Sequence, residues 1–314
     1  MNDQELKDSE QIAPRPDRDD IESLRRRKAH TELGGLYLVP SPLGNLGDLT
    51  LRAIEILTEA QLVMAEDTRR SLKLLNHLGL KKTVLSYREQ NHKRAWPRVA
   101  ETLASGGVVA LLTDAGSPSV SDPGAILVEE ARVSGFNIIP LPGPSAVICA
   151  LMASGFSADR FTFAGFLPPK KKERLDFLAP LAHHAWTLVF FEAPHRLAGS
   201  LADLAEIFKN RRALVAREMT KLHEEYLFGE LPELAAEAAS SPRKGEITIV
   251  VEGYQGGEEK KEIDMNRLKD LAENDPRPTK VLAAALSEES GRGRGEIYQL
   301  LLAVRRNSNN GDWS

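Results

Sequence analysis

From Gly35 to about Pro142, short wholly apolar runs alternate with stretches whose apolar residues recur every three or four positions. The apolar runs LYLVP (36–40), LVMAED (62–67), TVLSY (83–87), VVALLTD (108–114) and NIIPLP (137–142) read as strands. LTLRAIEILTEA and PGAILVEEARVSG, lying between them, read as amphipathic helices. Strands without an exposed polar face, joined by helices, predict a largely parallel sheet covered on both sides. After Ala153-Ser154-Gly155 a second set follows: FTFAGF (161–166), TLVFFE (187–192), ALVARE (213–218), EYLFGEL (225–231) and EITIVVEG (246–253). The short connections of the last three predict antiparallel neighbours.

The expected organisation is a tail over residues 1–33, an α/β domain over 34–154 and a second α/β domain over 155–254. The polar, Gly-containing QGGEEKK (255–261) reads as a linker. Residues 262–306 read as a helical hairpin broken between Gly291 and Gly295, and 307–314 as a tail. The first 33 residues are charged, lack apolar periodicity and contain Arg25, Arg26 and Arg27, the pattern of a solvated arm.

Composition narrows the class. In 314 residues, 42% hydrophobic and 27% charged content suit a globular enzyme of two domains plus an appendage. No apolar run approaches the roughly 18–20 residues of a membrane span, and the acidic N-terminus lacks the layout of a signal peptide. Cys149, the single cysteine, reads as a packing residue and fits a reducing cytoplasm. A net charge of −4 argues against a generally basic coat but permits a local basic patch.

The chemistry concentrates in loops. SPLGNLGD, EDTRRS, DAGSPSVSDPG and PGPSAV follow the first, second, fourth and fifth strands, at the carboxyl ends where open α/β sheets hold ligands. None is a phosphate-cradling G-x-x-x-x-G-K-[ST] or a G-x-G-x-x-G turn. Neither metal-ligand spacing nor G-x-S-x-G occurs. The residues alone therefore reach a two-domain α/β enzyme with a Gly/Pro-lined interdomain cleft.

Eight ordered motifs carry a resemblance. LYLVPSPLGNLGDLTLRAIEIL, AEDTRRS, LLTDAGSPSVSDPGAILVEEA and PLPGPSAVICAL, then FAGFLPPKKKER, LVFFEAPHRL, VAREMTKLHEE and KGEITIVVEG, resemble the tetrapyrrole methylase family over Gly35 to Gly253. They are most similar to its branch acting on ribosomal RNA. The G-S-P of Gly116, Ser117 and Pro118 is the form of that branch, where tetrapyrrole enzymes carry G-D-P. The resemblance implies two α/β domains with S-adenosylmethionine in the cleft between them, plus the small helical C-terminal appendage. It further implies methyl transfer to the 2′-oxygen of a cytidine ribose in the decoding region of 16S rRNA, a cytoplasmic homodimer, and no metal.

Carried over by position, the resemblance places Asp114, Ala115, Gly116, Val120, Ser121, Gly143, Ser145 and Ala146 at the cofactor, with Pro40 beneath. Phe191, Glu192, Arg217, Glu246 and Ile247 would close over it from the second domain. A ribose hydroxyl needs in-line placement and a proton acceptor. The expected catalytic group is Glu66, Asp67, His195, Glu218 and Lys221, a carboxylate taking the proton directly or through Lys221. Asp67 equally suits a helix N-cap, His195 a packing role, and Arg217–Glu218 an internal ion pair. Arg69 and Arg196, with Lys170, Lys171, Lys172 and Arg174, are the expected RNA contacts, and Arg292 with Arg294 a second patch. Two other readings stand beside this one, a small-molecule tetrapyrrole methylase and a non-catalytic RNA-binding module of ribosome assembly.

Overall fold

The computed structural model describes residues 34–256, 265–290 and 294–309. The expected N-terminal arm, most of the linker, Arg292 and the last five residues lie outside them. The first sheet comprises β1 (Gly35–Val39), β2 (Leu62–Ala65), β3 (Val84–Ser86), β4 (Val108–Leu112) and β5 (Ile138–Pro140), in the order β3-β2-β4-β1-β5. Every pairing in it is parallel.

Strand periodicity divides its side chains between two cores. Tyr37, Val39, Val63, Ala110 and Leu112 meet α1 (Leu51–Glu59) and α2 (Thr68–His77) on one face. Leu36, Met64, Val109 and Leu111 meet α3 (His92–Ala104) and α4 (Ala125–Val133) on the other. Both faces being buried, the strands had to be apolar throughout, which is why they stand out in the sequence.

The second sheet runs β6-β7-β10-β8-β9, from β6 (Phe161–Phe166), β7 (Thr187–Glu192), β8 (Arg212–Arg217), β9 (Glu225–Glu230) and β10 (Ile247–Val251). β6 and β7 are parallel, and the rest pair antiparallel. The expected antiparallel trio is present, but β10 inserts between β7 and β8 instead of following β9. On one face lie α6 (Lys171–Leu178), α7 (Leu197–Phe208) and α8 (Leu231–Ser240).

The opposite face is covered by α5 (Ala146–Ser154), whose Val147, Ala150 and Leu151 pack on Val189, Leu214 and Val250. This helix falls before the expected boundary at 154, yet it buries its surface against the second sheet. Leu43 and Ala115, from loops of the first sheet, join the same cluster, so one core ties the halves together.

The C-terminal region holds three described helices rather than the two of a hairpin: α9 (Met265–Asn274), α10 (Thr279–Ser290) and α11 (Arg294–Asn309). They share a core of their own built on Leu268, Leu282, Ile297 and Leu301. α11 also runs past the expected end at 306.

Candidate active site

The order of the first sheet makes β1 and β4 neighbours although β2 and β3 intervene in sequence, and the loops leaving them open a crevice. Those loops are pinned together. Ser41 and Gly116 form an antiparallel bridge, with N···O distances of 2.8 and 2.9 Å. The Ser117 hydroxyl donates to the carbonyl of Pro144 (3.2 Å), tying in the loop after β5. Ser145 then caps α5, its hydroxyl accepting from the amide of Ile148.

Backbone strain gathers here. Among the described residues, the non-glycine positions with positive φ are Ser119, Ser121, Lys209, Glu218 and Thr220, and all but Lys209 belong to loops around this crevice. Each such residue costs on the order of 1–3 kcal/mol, a cost that marks functional loops. Gly116 (φ +80°) turns the first of these loops and Gly245 (φ +101°) the segment leading into β10, both without a side-chain clash.

From the second sheet come the carboxyl end of β7, the start of β10 and the loop after β8. A register shift in β6 between Phe163 and Phe166, with Gly165 at φ +68°, sets Phe166 against Phe191 (5.4 Å between ring centroids). The loops of the two halves also touch directly. The Asn45 amide donates to the Thr220 hydroxyl (3.2 Å). The Lys221 stem lies so close to Gly44 that a Cβ there would stand 2.1 Å from its Cγ.

Between the halves lies a cleft of about 400 Å³, the size of a small-molecule site. Leu43, Val147, Phe166, Phe191 and Met219 give it apolar walls, and the 115–117 and 145–147 segments line it. Glu66, Asp114, Asp122, Glu192 and Glu246 also line it, against one lining guanidinium, Arg70. Arg70 is engaged by Asp114 (3.3 Å) and buried Glu192 by Arg196 (2.5 Å). Burial, then Asp122 and Asp114, raise the Glu66 carboxyl above its usual range. Burial also raises Asp122, against the opposing hydrogen bond from the Thr113 hydroxyl. Such a cavity suits a ligand with an apolar body, hydrogen-bonding edges and positive charge, features a purine nucleoside with a sulfonium and an ammonium group combines.

Of the expected cofactor residues, Asp114, Ala115, Gly116, Val120, Ser121, Ser145, Ala146, Phe191, Glu192, Glu246 and Ile247 line this cleft. Three do not. Pro40 and Gly143 back onto each other, a Cβ on Gly143 falling 2.8 Å from Pro40 Cβ. Arg217 points along the sheet edge to Glu225 (3.0 Å) and the Lys244 carbonyl (2.8 Å).

The expected catalytic residues separate as well. Glu66 lines the cleft. Asp67 caps α2 through the Arg69 amide (2.9 Å) and pairs with the Arg69 side chain (2.7 Å), contacts that hold its carboxyl far below the usual range. Glu218 and Lys221 form a bonded pair (2.8 Å), and Lys221 also reaches Glu246 (3.2 Å). Burial acts to raise Glu218, but Lys221 and the Glu246 amide outweigh it and hold the carboxyl low. His195 is exposed on a short turn outside the lining, next to Pro194, which belongs to it.

Of the expected RNA contacts, Arg69 is exposed but paired to Asp67, and Arg196 is drawn inward to Glu192. Lys170, Lys171 and Lys172 are exposed at the start of α6, Lys170 pairing with Glu173. Arg174 is not part of that exposed run. It is 6% accessible, bonded to Asp203 (2.5 Å) and to the carbonyls of Pro168 and Pro169, because it falls on the inward side of α6. Arg294 donates to the Lys280 carbonyl (3.3 Å) within the C-terminal helices.

Asp122, Arg70, Phe166, Met219 and Thr248 line the cleft without having been singled out in the sequence. Asp122 lies in the same DAGSPSVSDPG loop as Asp114 and Ser121, so the loop itself carried the signal for it.

Comparison with known proteins agrees with this geometry. Residues 35–235 match the family model of tetrapyrrole (corrin/porphyrin) methylases. The ribosomal RNA small subunit methyltransferase I of Xylella fastidiosa is 42% identical over 268 residues, 84% of this chain and 98% of that protein. The proteins of the same name from Neisseria meningitidis serogroup B (39% identical; 86% and 94% covered) and Escherichia coli O157:H7 (37%; 88% and 98%) align over similar spans. Among solved structures, a cobalt precorrin-4 methyltransferase (19% identical, TM-score 0.52, 69% of this chain and 94% of that one) and a diphthine synthase (17%, 0.53, 69% and 89%) share the fold. The chain belongs to the tetrapyrrole methylase family, in the branch formed by the ribosomal RNA small subunit methyltransferases I.

Proposed function

We propose that this chain transfers a methyl group from S-adenosylmethionine to the 2′-oxygen of a cytidine ribose in the decoding region of 16S rRNA, acting as a cytoplasmic homodimer of two-domain subunits split near residue 154. The printed name of its relatives supports the ribosomal RNA substrate. The observation that carries the chemistry is the cleft itself, apolar and backbone-lined yet rich in carboxylates.

The fit to the cofactor is good. Ala115, Gly116, Ser145 and Ala146 offer small, backbone-rich contacts at close approach. Glu246 and Asp122 complement its positive charge, and Phe166, Phe191 and Met219 its apolar surface. When bound it supplies an activated methyl group on a sulfonium.

Everything else falls to the protein. Glu66 accepts the proton of the ribose hydroxyl as that oxygen becomes the nucleophile, its raised carboxyl being a stronger base than an ordinary glutamate. The Lys221–Glu218 pair holds Glu246 and the β8 loop in place, and Glu218, itself held low, is a poor proton acceptor. Arg70 takes the RNA-contacting role expected of Arg69, since it is Arg70 that faces the cleft. Lowering the barrier rests chiefly on alignment, because a tight grip on the cation would favour the ground state over a transition state that disperses its charge.

The test is to incubate the protein with methyl-tritiated S-adenosylmethionine and small ribosomal subunits from a strain lacking this activity. Label in the ribose of one cytidine is the expected result, and label in a base, or none, overturns the proposal. Sedimentation equilibrium of the same preparation is expected to give twice the chain mass of 34.6 kDa.

A further inference from the structure

Beside the cleft, and sharing Arg70 and Asp114 with it, runs a second groove of about 380 Å³ between the loop after β1 and the face of α2. Arg70, Lys73 and His77 line it, spaced i, i+3 and i+7, so they form one ladder along the helix. Lys73 and His77 are exposed, and among the described residues neither has an ion pair. Asp114 is the one carboxylate in the lining, and it is already bonded to Arg70. Leu46, from the loop after β1, and Leu74, on the same helix as the ladder, provide apolar surface.

A separate observation comes from the same lining. Ser41 is 3% accessible, and its hydroxyl has no hydrogen-bond partner among the described residues. A buried hydroxyl left unsatisfied is destabilising, and a ligand that bonds to it removes that cost.

We propose that this groove is a polynucleotide subsite that takes the nucleotide flanking the methylated one. Its phosphate lies on Lys73 and His77, its base lies over Leu46 and Leu74, and Arg70 marks the junction with the reacting ribose. The inference rests on the RNA-methylation reading and assigns its substrate path. Charge selects the occupant. A strand of phosphodiesters complements the ladder, and the Leu46–Leu74 surface offers a base the apolar contact that a free anion would not use. The groove leads directly to the cleft through two shared residues, as a strand presenting one ribose to a methyl donor requires.

The experiment measures binding apart from chemistry. A fluorescein-labelled single-stranded RNA oligonucleotide is titrated by anisotropy against the whole protein and against the double variant Lys73→Glu/His77→Glu, at several salt concentrations. Lys81→Glu, which alters an exposed lysine outside the groove lining, is the control. Calorimetry with S-adenosylmethionine accompanies each titration. Expected is a loss of RNA affinity of about tenfold or more in the double variant, with a salt slope shallower by about one (each single-strand phosphate contact contributes ~0.7). Lys81→Glu should bind RNA as the unaltered protein does, and cofactor affinity should hold throughout. Unchanged RNA affinity and slope in the double variant, an equal loss in Lys81→Glu, or no RNA binding by the unaltered protein each overturns the groove. The methylation reading fails differently, through absence of ribose label, so tritium in ribose together with wild-type binding by the double variant would sink the groove alone.

Discussion

Glu66 and Asp67 are adjacent in sequence and opposite in electrostatic fate. Asp67 is spent on the start of α2, where its carboxylate takes the Arg69 amide and guanidinium. Glu66 lines the cleft among Asp114 and Asp122, and burial keeps its proton on to higher pH. Only the ionised form accepts a proton, so methyl transfer is expected to rise through a pKa above the normal carboxylate range and then level off. Glu66→Gln is expected to slow single-turnover transfer by about 10²–10⁴-fold and to remove that acidic limb, while calorimetry shows cofactor binding retained. A limb that survives in Glu66→Gln would assign the proton elsewhere, Asp122 being the next raised carboxyl in the cleft. The neighbouring arginines divide in the same manner. One residue further along a helix is a rotation of about 100°, enough to turn Arg70 to the cleft and leave Arg69 outside.

At the scale of elements, α6 shows how a basic run can mislead. KKKER reads as uniformly solvated, but the helix turns Arg174 inward to a 2.5 Å ion pair with Asp203 on α7, capped by two proline carbonyls. With Arg174 removed, buried Asp203 keeps only the longer contact to exposed Lys171 (3.5 Å). Arg174→Ala is therefore expected to destabilise the protein by about 3–5 kcal/mol in urea denaturation, with RNA affinity of the folded fraction unchanged. A selective loss of RNA binding without loss of stability would restore Arg174 to the RNA surface. α5 carries the complementary lesson. AVICALMAS is apolar nearly all round, so periodicity does not reveal which sheet it covers.

For the whole molecule, the cleft is a product of joining two sheets. Leu43 and Ala115 enter the core that α5 makes with β7, β8 and β10, while Asn45 meets Thr220 and Gly44 meets Lys221 across the opening. A ligand filling this space braces both halves at once, whereas the C-terminal helices keep a core of their own. Saturation with S-adenosylmethionine at 100 times its Kd is expected to stabilise the folded state by about 2.7 kcal/mol. By hydrogen exchange, the added protection should fall on the loops after β1, β4, β7 and β8 and leave residues 265–309 unprotected by comparison. Protection confined to one half would mean that the other does not close on the ligand.

Much was written in the local chemistry of the chain. The ten strands announced themselves because buried sheets demand apolar runs, and the Gly- and Pro-rich loops did so because tight turns demand those residues. Ordered motifs then sufficed to place the family, and eleven of the fourteen positions expected at the cofactor line the cleft. What the sequence by itself did not determine was direction. Whether Arg69 or Arg70 faces a ligand, whether Arg174 is wet or buried, and which sheet α5 covers depend on rotations of a few residues. Contacts between residues far apart along the chain settle those rotations, as when Arg174 meets Asp203 and Arg70 meets Asp114. Tertiary packing alone decided them, because burial and charge environment belong to a place in space and not to a position in the chain.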